Sequence, residues 1–346
     1  MTDILIGKKK VGDNNPCYII AEAGSNHDGK LEQAKQLVDI AAEAGADAVK
    51  FQVFSADRIA APTKHPIAQI DFAGAKNLNE LYRRNEMPLE WCPILRDYAE
   101  KKGILFLCTP FDENATDELD RMGIAAFKIA SFEMVHHPLL QHVAKKGKPI
   151  ILSTGLATLG EIEEALSAIR TVSSVPVILL HCGINYPLAF ESVNLRAMLT
   201  IQKAFGVPVG YSDHTSGIVV PCAAVALGAT VIEKHFTISR KMAGPDHSFA
   251  LEPGELMAMV RGIRDVESAL GSSLKMPADD EKIHVVRGKR SLFSNVPIQK
   301  GTLITKEMLS VLRPGVGLAP KYLNQVIGRR AQTDIGAYDP ITWDCI

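Results

Sequence analysis

The chain has 346 residues, of which 47% are hydrophobic and 22% charged, a composition typical of a globular protein long enough for two domains. Its net charge of −1 points to neither a nucleic-acid nor a membrane partner, and we expect no secretory leader and no membrane span of about 18 apolar residues. The six cysteines are scattered without a CxxC spacing, which indicates reduced thiols and a cytoplasmic location.

Short apolar runs recur along the chain, and each ends in small or polar residues. The eight runs are 17–24, 48–54, 104–111, 126–131, 149–155, 177–183, 209–214 and 231–237. Apolar residues at three- and four-residue steps predict helices between most of them. The helical segments are 31–44, 87–103, 159–170 and 254–270. Eight alternating strands and helices predict a (β/α)₈ barrel. A doubly wound open sheet also alternates, but no glycine-rich dinucleotide turn follows the first strand.

Two stretches depart from this alternation. The connection 55–87 is unusually long, which is typical of a functional or disordered loop. Beyond residue 271 the sequence turns polar and then breaks into short β-like pieces rich in Gly and Pro. We therefore predict a barrel over 1–271, a linker over 272–284 and a small β-rich domain over 285–346. That last segment carries a net charge of +5, which leaves −6 for the rest of the chain.

Three ionisable residues lie inside the apolar run VIEKHFT at 231–237. A buried charge without a partner costs several kcal/mol, so something must face these groups. Because side chains alternate along a strand, Glu233 and His235 share one face and Lys234 takes the other. We predict that Glu233 and His235 point into the barrel, while Lys234 points outward and extends to water.

The same alternation places polar side chains from seven strands at one end of the barrel. These residues are Glu22, Lys50, Gln52, Thr109, Lys128, Ser131, Ser153, Ser212, His214, Glu233 and His235. Barrel enzymes keep their active sites at the carboxyl ends of the strands, so this convergence predicts an active site there. For His181 we also predict an inward orientation, and the sequence does not decide between a core role and a supporting role.

His214 and His235 come from the ends of neighbouring strands. Two neutral imidazoles so placed suit a divalent metal such as Mn²⁺ or Zn²⁺, although each could instead be a hydrogen-bonded core histidine. Lys50 and Lys128, with hydroxyls around them, suit an anion such as a phosphate or a carboxylate. The alternative for these lysines is a buried structural ion pair.

These residues lie in motifs that resemble the sialic acid synthase family, the phosphoenolpyruvate-condensing nonulosonate synthases. The matching motifs are IIAEAGSNHDG (19–29), GADAVKFQ (45–52), CTPFD (108–112), FKIAS (127–131), ILSTG (151–155), GYSDHT (210–215), IEKHFT (232–237) and GPDHS (244–248). The segment PIQKGTLITKEMLSVLRPG (297–315) is similar to the family's C-terminal antifreeze-like (SAF) domain. One position departs, since Ile184 stands where some members carry Asn.

The resemblance implies a transferase that condenses phosphoenolpyruvate with an N-acetylmannosamine-type sugar and water, giving a nonulosonic acid and phosphate. A 2,4-diacetamido sugar of the legionaminate type is the alternative substrate, and the connection 55–87 with segment 183–190 is expected to set the choice. The resemblance also implies a divalent metal, Mn²⁺ with Mg²⁺ or Co²⁺ as alternatives. It further implies a domain-swapped homodimer in which the small domain covers the partner's barrel.

Residue roles carry over from the family position by position. His214 and His235 would hold the metal and act in catalysis together with Glu22, which would position or deprotonate the reacting water. Phosphoenolpyruvate would be bound by Lys50, Thr109, Lys128, Ser131, Ser153 and Ser212. The sugar would be bound by Gln52, Tyr186, Asp246 and Arg313. Glu233 would orient groups or offset charge near the metal.

Two other functions remain open at this stage. A pyruvate aldolase on the same barrel would use one inward lysine, here Lys128, to form a Schiff base. A non-catalytic carbohydrate-binding protein would use the C-terminal domain and need neither Lys50 nor His235.

Overall fold

The computed structural model describes residues 3–66, 69–72 and 75–346. The chain forms two compact units, Met1–Gly271 and Ser272–Ile346. Among the described residues, no helix combines the length and the apolar character that crossing a bilayer requires.

Eight parallel strands form the central sheet of the first unit. They are β3 (Tyr18–Gly24), β4 (Ala48–Val53), β7 (Leu105–Pro110), β8 (Phe127–Ile129), β9 (Ile150–Ser153), β10 (Val177–Cys182), β11 (Val209–Asp213) and β12 (Val231–His235). Their order in the sheet, β7-β4-β3-β12-β11-β10-β9-β8, follows the chain around a ring. The two end strands, β7 and β8, pack beside each other. The predicted (β/α)₈ barrel is therefore confirmed, and each strand lies within one of the eight predicted runs.

Helices surround the strands. They are α1 (Leu31–Glu43), α4 (Trp91–Lys101), α5 (Glu113–Arg121), α6 (His137–Ala144), α7 (Leu159–Arg170), α8 (Arg196–Phe205), α9 (Val219–Ala226) and α10 (Pro253–Leu270). Helix α7 begins with a capping box, in which the Thr158 side chain accepts from the Glu161 N–H and Glu161 accepts from the Thr158 N–H. The four helices predicted from apolar spacing all form, with ends shifted by no more than a few residues.

Alternation along each strand separates two apolar layers. Outward residues such as Ile19, Val49 and Leu179 pack under the helices in the larger core. Inward residues such as Ile20, Ile178 and Val231 fill the lower half of the barrel. An antiparallel hairpin that the sequence did not reveal, β1 (Ile4–Ile6) with β2 (Lys9–Val11), adds Ile4, Ile6 and Val11 to this inner cluster. The barrel interior is therefore closed and apolar below the polar upper layer.

The long connection 55–87 carries its own secondary structure. It contains α2 (Ala56–Ile59), β5 (Gln69–Phe72), β6 (Ala75–Asn77) and α3 (Leu78–Asn85). Asn79 fastens this segment, because its side-chain amide donates to the carbonyl oxygens of Ala56 and Ala60. The connection is thus a folded insertion over the residues that the structure describes.

The second unit is small and β-rich. It contains α11 (Lys282–Gly288), β13 (Ser291–Ser294), β14 (Leu309–Leu312) and α12 (Leu323–Val326), with β13 and β14 paired antiparallel. Its core is built from Leu292, Ile298, Ile304, Val326 and Ile341, among others. The stretch predicted as a linker, 272–284, is exposed throughout and includes a short 3₁₀ turn and the first residues of α11.

Gly210 in β11 provides a test of the barrel packing. A Cβ at this inward position would lie 2.3 Å from the Val231 carbonyl oxygen on β12 and 2.7 Å from the Leu180 side chain. Because these neighbours cannot easily move, we expect Gly210→Ala to destabilise the barrel by about 1–3 kcal/mol in thermal or urea unfolding. Gly254→Ala in α10 is the matched control, since nothing lies within 4 Å of its added Cβ. If both variants unfold at the same temperature, the described packing is wrong.

Candidate functional site

A cavity of about 120 Å³ lies at the carboxyl ends of the barrel strands. Its lining comprises Lys50, Gln52, Tyr82, Thr109, Phe111, Lys128, Ala130, Ser131, Phe132, Ser153, Cys182, Tyr186, Ser212, His214, Glu233 and His235. The structure therefore brings together nearly all the residues that strand alternation predicted. Glu22 contacts the lining through Lys50, and Asp246 does so through His235.

Four buried charges form the floor of this cavity. Lys50 Nζ lies 2.5 Å from Glu22 Oε2 and 3.7 Å from Glu233 Oε2. Lys128 Nζ lies 3.5 Å from Glu233 Oε1. Glu233 therefore points into the barrel, as predicted, and lies between the two lysines. The ion-pair interpretation of Lys50 is confirmed by these contacts, while its role toward an external anion stays a prediction.

The pKa values of the four groups follow from burial and from one another. Burial would lower the pKa of Lys50, but the carboxylates of Glu22 and Glu233 outweigh it and raise that pKa. Burial lowers the pKa of Lys128, which Glu233 only partly opposes. For Glu233, the two lysines overcome burial and lower the pKa. Glu22 is the exception among the carboxyls, because burial raises its pKa despite Lys50. Of the two carboxyls beside Lys50, Glu22 is thus the one that binds a proton more readily.

Four hydroxyl groups, those of Thr109, Ser131, Ser153 and Ser212, line the same cavity as the two lysines. Thr109 Oγ1 accepts from Lys50 Nζ at 3.1 Å, and Ser212 Oγ donates to Glu233 Oε1 at 3.0 Å. Ser131 Oγ accepts from the Gly155 N–H at 2.9 Å. Ser153 Oγ is buried and has no hydrogen-bond partner within the described part of the chain. A buried hydroxyl without a partner at the wall of a cavity is a group available to a ligand.

His214 and His235 lie side by side at the ends of β11 and β12, with ring centroids 5.3 Å apart. His214 Nδ1 lies 2.6 Å from the Gly183 carbonyl oxygen, so Nδ1 carries the proton and Nε2 keeps its lone pair. His235 Nδ1 is buried and has no hydrogen-bond partner in residues 3–66, 69–72 or 75–346. Burial lowers the pKa of His214 to about 4 and that of His235 well below its usual range. Both rings are therefore neutral at pH 7.

The donor set of these two rings fits a divalent metal. Neutral imidazoles with free lone pairs are the form that binds such ions. Within the described ranges, no group of three or more His, Cys, Asp or Glu residues has the geometry of a metal site. His214 and His235 are therefore the residues that would hold such an ion.

Tyr186 and Asp246 flank the histidines. The Tyr186 ring centroid lies 4.3 Å from that of His214, and Asp246 Oδ2 lies 4.0 Å from His235 Nδ1. Asp246 Oδ2 also accepts from the Ser25 N–H at 3.0 Å. Gly24 makes this approach feasible, because a Cβ at its position would lie 2.5 Å from Asp246 Oδ2. Its φ of +52° is also unfavourable for other residues.

Gln52 and Arg313 complete the predicted set. Gln52 Nε2 donates to Glu22 Oε1 at 2.7 Å, which orients that carboxyl. Arg313 belongs to the second unit, where its Nε donates to the Gly288 carbonyl oxygen at 2.6 Å. Its predicted role at the sugar site stays a prediction.

Two orientation predictions need correction. His181 packs outward, because its strand neighbours Leu180 and Cys182 take the inward positions; its Nε2 lies 2.8 Å from the Val193 carbonyl oxygen. Lys234 does point outward, but it does not reach water. It is 1% exposed and its Nζ lies 2.6 Å from Asp213 Oδ2, since β11 places Asp213 on the same rung as Lys234.

Five residues that line the cavity were missed by the sequence interpretation: Tyr82, Phe111, Ala130, Phe132 and Cys182. Cys182 follows from the alternation of β10 once Leu180 is placed inward, and its Sγ lies 3.8 Å from His214 Nδ1. Tyr82 comes from the insertion 55–87 and Phe111 from the end of β7. Both pack around Phe54, with ring centroids 5.6 and 5.5 Å away. No local pattern in the sequence places Tyr82 there.

A parallel (β/α)₈ barrel with a closed, apolar lower half and a charged, hydroxyl-lined mouth is the scaffold of a barrel enzyme. Comparison with known proteins then identifies its group: the chain belongs to the NeuB family, whose model matches residues 37–275, and a SAF domain follows at 289–346. The family resemblance of the motifs is therefore confirmed.

Several relatives match over most of their length. The N,N'-diacetyllegionaminic acid synthase of Legionella pneumophila is 41% identical, over 98% of this chain and 97% of that protein. The crystal structure of the N-acetylneuraminic acid (sialic acid) synthetase of Leptospira borgpetersenii in complex with citrate has a TM-score of 0.74 at 36% identity, covering 82% of this chain and 95% of that one. The spore coat polysaccharide biosynthesis protein SpsE of Bacillus subtilis has a TM-score of 0.68 at 42% identity, covering 100% and 99%.

Glu133, just beyond β8, gives a prediction that concerns stability near the site. Its side chain is half-buried, its Oε2 atom is buried without a hydrogen-bond partner among the described residues, and this burial raises its pKa from 4.5 to about 7. The folded chain therefore binds this proton more tightly than the unfolded chain does. Protonated Glu133 thus stabilises the fold at pH values below about 4.5, and this stabilisation is lost as the pH rises through about 7.

We therefore expect Glu133→Gln to raise the free energy of unfolding by about 1–3 kcal/mol at pH 8 and to change it little at pH 4.5. Melting temperatures across that pH range provide the measurement. Glu113→Gln is the matched substitution, because Glu113 is exposed and lines a surface cavity beside α5 together with Glu133. If the melting temperatures of Glu133→Gln and the parent differ by the same amount at pH 4.5 and at pH 8, the burial argument is wrong.

Proposed function

We propose that this chain condenses phosphoenolpyruvate with an N-acetylmannosamine-type sugar and water, giving a nonulosonic acid and inorganic phosphate. The observation that carries the proposal is the juxtaposition of two buried lysines and four hydroxyls with two neutral imidazoles at one end of the barrel. The first group suits a small, highly charged anion, and the second suits a divalent ion beside it.

Phosphoenolpyruvate would occupy the cavity floor. Lys50 and Lys128 would bind its carboxylate and phosphate, and Thr109, Ser131, Ser153 and Ser212 would donate or accept around them. Without ligand, Glu22 and Glu233 balance the two lysines. A bound anion would add negative charge beside the two lysines, so we expect it to favour the protonated form of Glu22.

The reaction forms one carbon–carbon bond and one carbon–oxygen bond, and it breaks the carbon–oxygen bond between carbon 2 and the phosphate. Carbon 3 of phosphoenolpyruvate attacks the aldehyde carbon of the open-chain sugar, the aldehyde oxygen takes up a proton to become a hydroxyl, and positive charge develops at carbon 2. Water adds to carbon 2 and gives up a proton, and the bond from carbon 2 to the phosphate oxygen then breaks. The lysines stabilise the departing phosphate, since their charges are fixed in place before it forms.

Glu22 is the proposed acceptor of the water proton. Its carboxyl is buried, its pKa is raised by that burial, and Gln52 and Lys50 fix its orientation. A carboxyl whose pKa moves toward neutrality is better matched to proton transfer than one at its ordinary value. Glu233, bonded to Ser212 and facing both lysines, would stay ionised and keep them oriented.

His214 and His235 would hold a divalent metal, Mn²⁺ with Mg²⁺ or Co²⁺ as alternatives. Such an ion, when bound, polarises a carbonyl oxygen as a Lewis acid. Tyr186, Asp246 and Gln52 lie around these rings and would bind the sugar. Arg313 would join them from the SAF domain of a second subunit.

A homodimer would supply that second SAF domain. The loops after four consecutive strands leave large apolar side chains exposed at the mouth. They are Phe132, Val135, Leu156, Leu159, Tyr186, Phe190 and Val219. The segment before the SAF domain likewise exposes Leu274, Met276, Ile283 and Val286. Exposed apolar surface of this extent supports a partner that covers it. All six cysteines are free, which supports a cytoplasmic location.

The proposal is tested by phosphate release from phosphoenolpyruvate with a panel of sugars. We expect release that depends on sugar, is abolished by EDTA and returns with Mn²⁺. N-acetylmannosamine and a 2,4-diacetamido mannose derivative are the two principal arms, since the relatives act in both sialic and legionaminic acid synthesis by name. His235→Ala should lower kcat/KM at least about 100-fold. Sugar-independent release, or none with any sugar, would contradict the proposal.

Lys128 gives a second candidate function some support, because burial lowers its pKa as a Schiff-base lysine requires. We expect no reaction there, since Glu233 lies 3.5 Å away and keeps the ammonium form paired. Borohydride treatment with pyruvate, followed by mass spectrometry, should leave Lys128 unlabelled. Lys128→Met is the matched variant. If pyruvate labels the parent at Lys128 and does not label the variant, the chain is an aldolase instead. A non-catalytic sugar-binding protein would bind its sugar equally well after Lys50→Ala or His235→Ala.

A further inference from the structure

Asp213 and Lys234 form an ion pair on the outer face of the barrel wall, directly behind the two histidines. Lys234 Nζ lies 2.6 Å from Asp213 Oδ2, and the side chains are 1% and 0% exposed. Lys234 also donates to the Thr215 carbonyl oxygen. Asp213 accepts from the Thr215 N–H at 3.0 Å and from its hydroxyl at 3.1 Å. The pair thus closes the turn that follows β11.

The position of this pair in the sheet explains its significance. The ladder between β11 and β12 runs through Tyr211 with Ile232 and Ser212 with Glu233, and Asp213 with Lys234 forms its last rung. His214 and His235 are the next residue on each strand. Ser212 and Glu233 are bonded on the inward face one rung below. The two strands are therefore joined on both faces just before the imidazoles.

The free energy of such a pair does not by itself account for its presence. Removing two charges from water is costly, and apolar pairs of similar volume are often as stable or more stable in a core. An ion pair, however, fixes distance and register more narrowly than apolar packing, because each bond has a required length and direction. At a separation of 5.3 Å between ring centroids, a shift of the rung would change the spacing of the two rings.

We propose that Asp213 and Lys234 are positioning residues that fix the spacing of His214 and His235 for divalent metal binding. This inference rests on the proposed function, because it takes the two histidines as the metal ligands. Neither Asp213 nor Lys234 lines the cavity, so they act through the backbone of the two strands.

The test is the Mn²⁺ affinity of the whole chain, measured without substrates by the electron paramagnetic resonance signal of free Mn²⁺. Removing one charge alone would leave the other buried and unpaired, so the variant is the charge-balanced pair Asp213→Asn with Lys234→Met. We expect a folded protein whose Mn²⁺ dissociation constant rises about 10- to 100-fold, the range found when groups supporting metal ligands are removed.

A matched control lies at the opposite end of the barrel. Asp47 is buried before β4 and pairs with Arg264 at 3.3 Å. Asp47→Asn with Arg264→Met removes a charge-balanced pair in which Asp47 is buried and Arg264 is 35% exposed. We expect a lower melting temperature with Mn²⁺ affinity within about 2-fold of the parent. A purely stabilising role for Asp213 and Lys234 would make both double variants behave alike in this assay.

The outcomes separate the inference from the function on which it rests. If the parent binds no Mn²⁺, or binds it equally after His235→Ala, the metal site itself is wrong and the inference falls with it. If the parent binds Mn²⁺ and the folded Asp213→Asn, Lys234→Met variant binds it within about 2-fold, the inference alone is overturned. Should that variant not fold, Thr215→Val decides, because it removes only the hydroxyl bond to Asp213. A weakening of about 3-fold or more then supports the inference, and a smaller change contradicts it.

Discussion

The buried charges of Glu22, Lys50, Glu233 and Lys128 are the constraint on which the rest of this molecule depends. Each would be unfavourable alone in a barrel interior, and each is tolerated because an opposite charge lies within a few ångströms. Three strands of the barrel, β3, β4 and β12, and the short β8 have to hold their register for these contacts to exist. The fold and the candidate chemistry therefore depend on the same contacts.

This arrangement also explains the balance between rigidity and reactivity at the mouth. Glu233 is held by two lysines and a serine, so its ionised form is favoured. Glu22 has one close lysine, and its burial together with the nearby charge of Glu233 raises its pKa instead. Two carboxyls that lie near the same lysine thus acquire different protonation preferences from their surroundings alone. Enzymes that need one permanent charge and one mobile proton commonly obtain them in this way.

Much of the fold and of the cavity could be predicted from the sequence, because strand alternation is a local property. Eight apolar runs gave eight strands, and inward residues of all eight line or support the cavity, one strand more than the sequence predicted. The failures concern contacts between distant segments. We expected Lys234 to reach water, since its actual partner, Asp213, lies on another strand and its contact cannot be read from the sequence around Lys234. The closing hairpin, the outward turn of His181 and the placement of Tyr82 likewise depend on tertiary packing that no periodicity records.

The hairpin of β1 and β2 determines how ligands can enter and leave the barrel. With Ile4, Ile6 and Val11 joining the apolar cluster below the lysines, the barrel is blind-ended. A ligand of the cavity floor therefore has to enter and leave through the open mouth of the barrel, past any ligand bound nearer the mouth. The reactant that binds deepest must bind first, and two bound ligands cannot exchange positions unless one of them dissociates. The shape of the barrel thus sets an order of binding that does not depend on the affinity of either ligand.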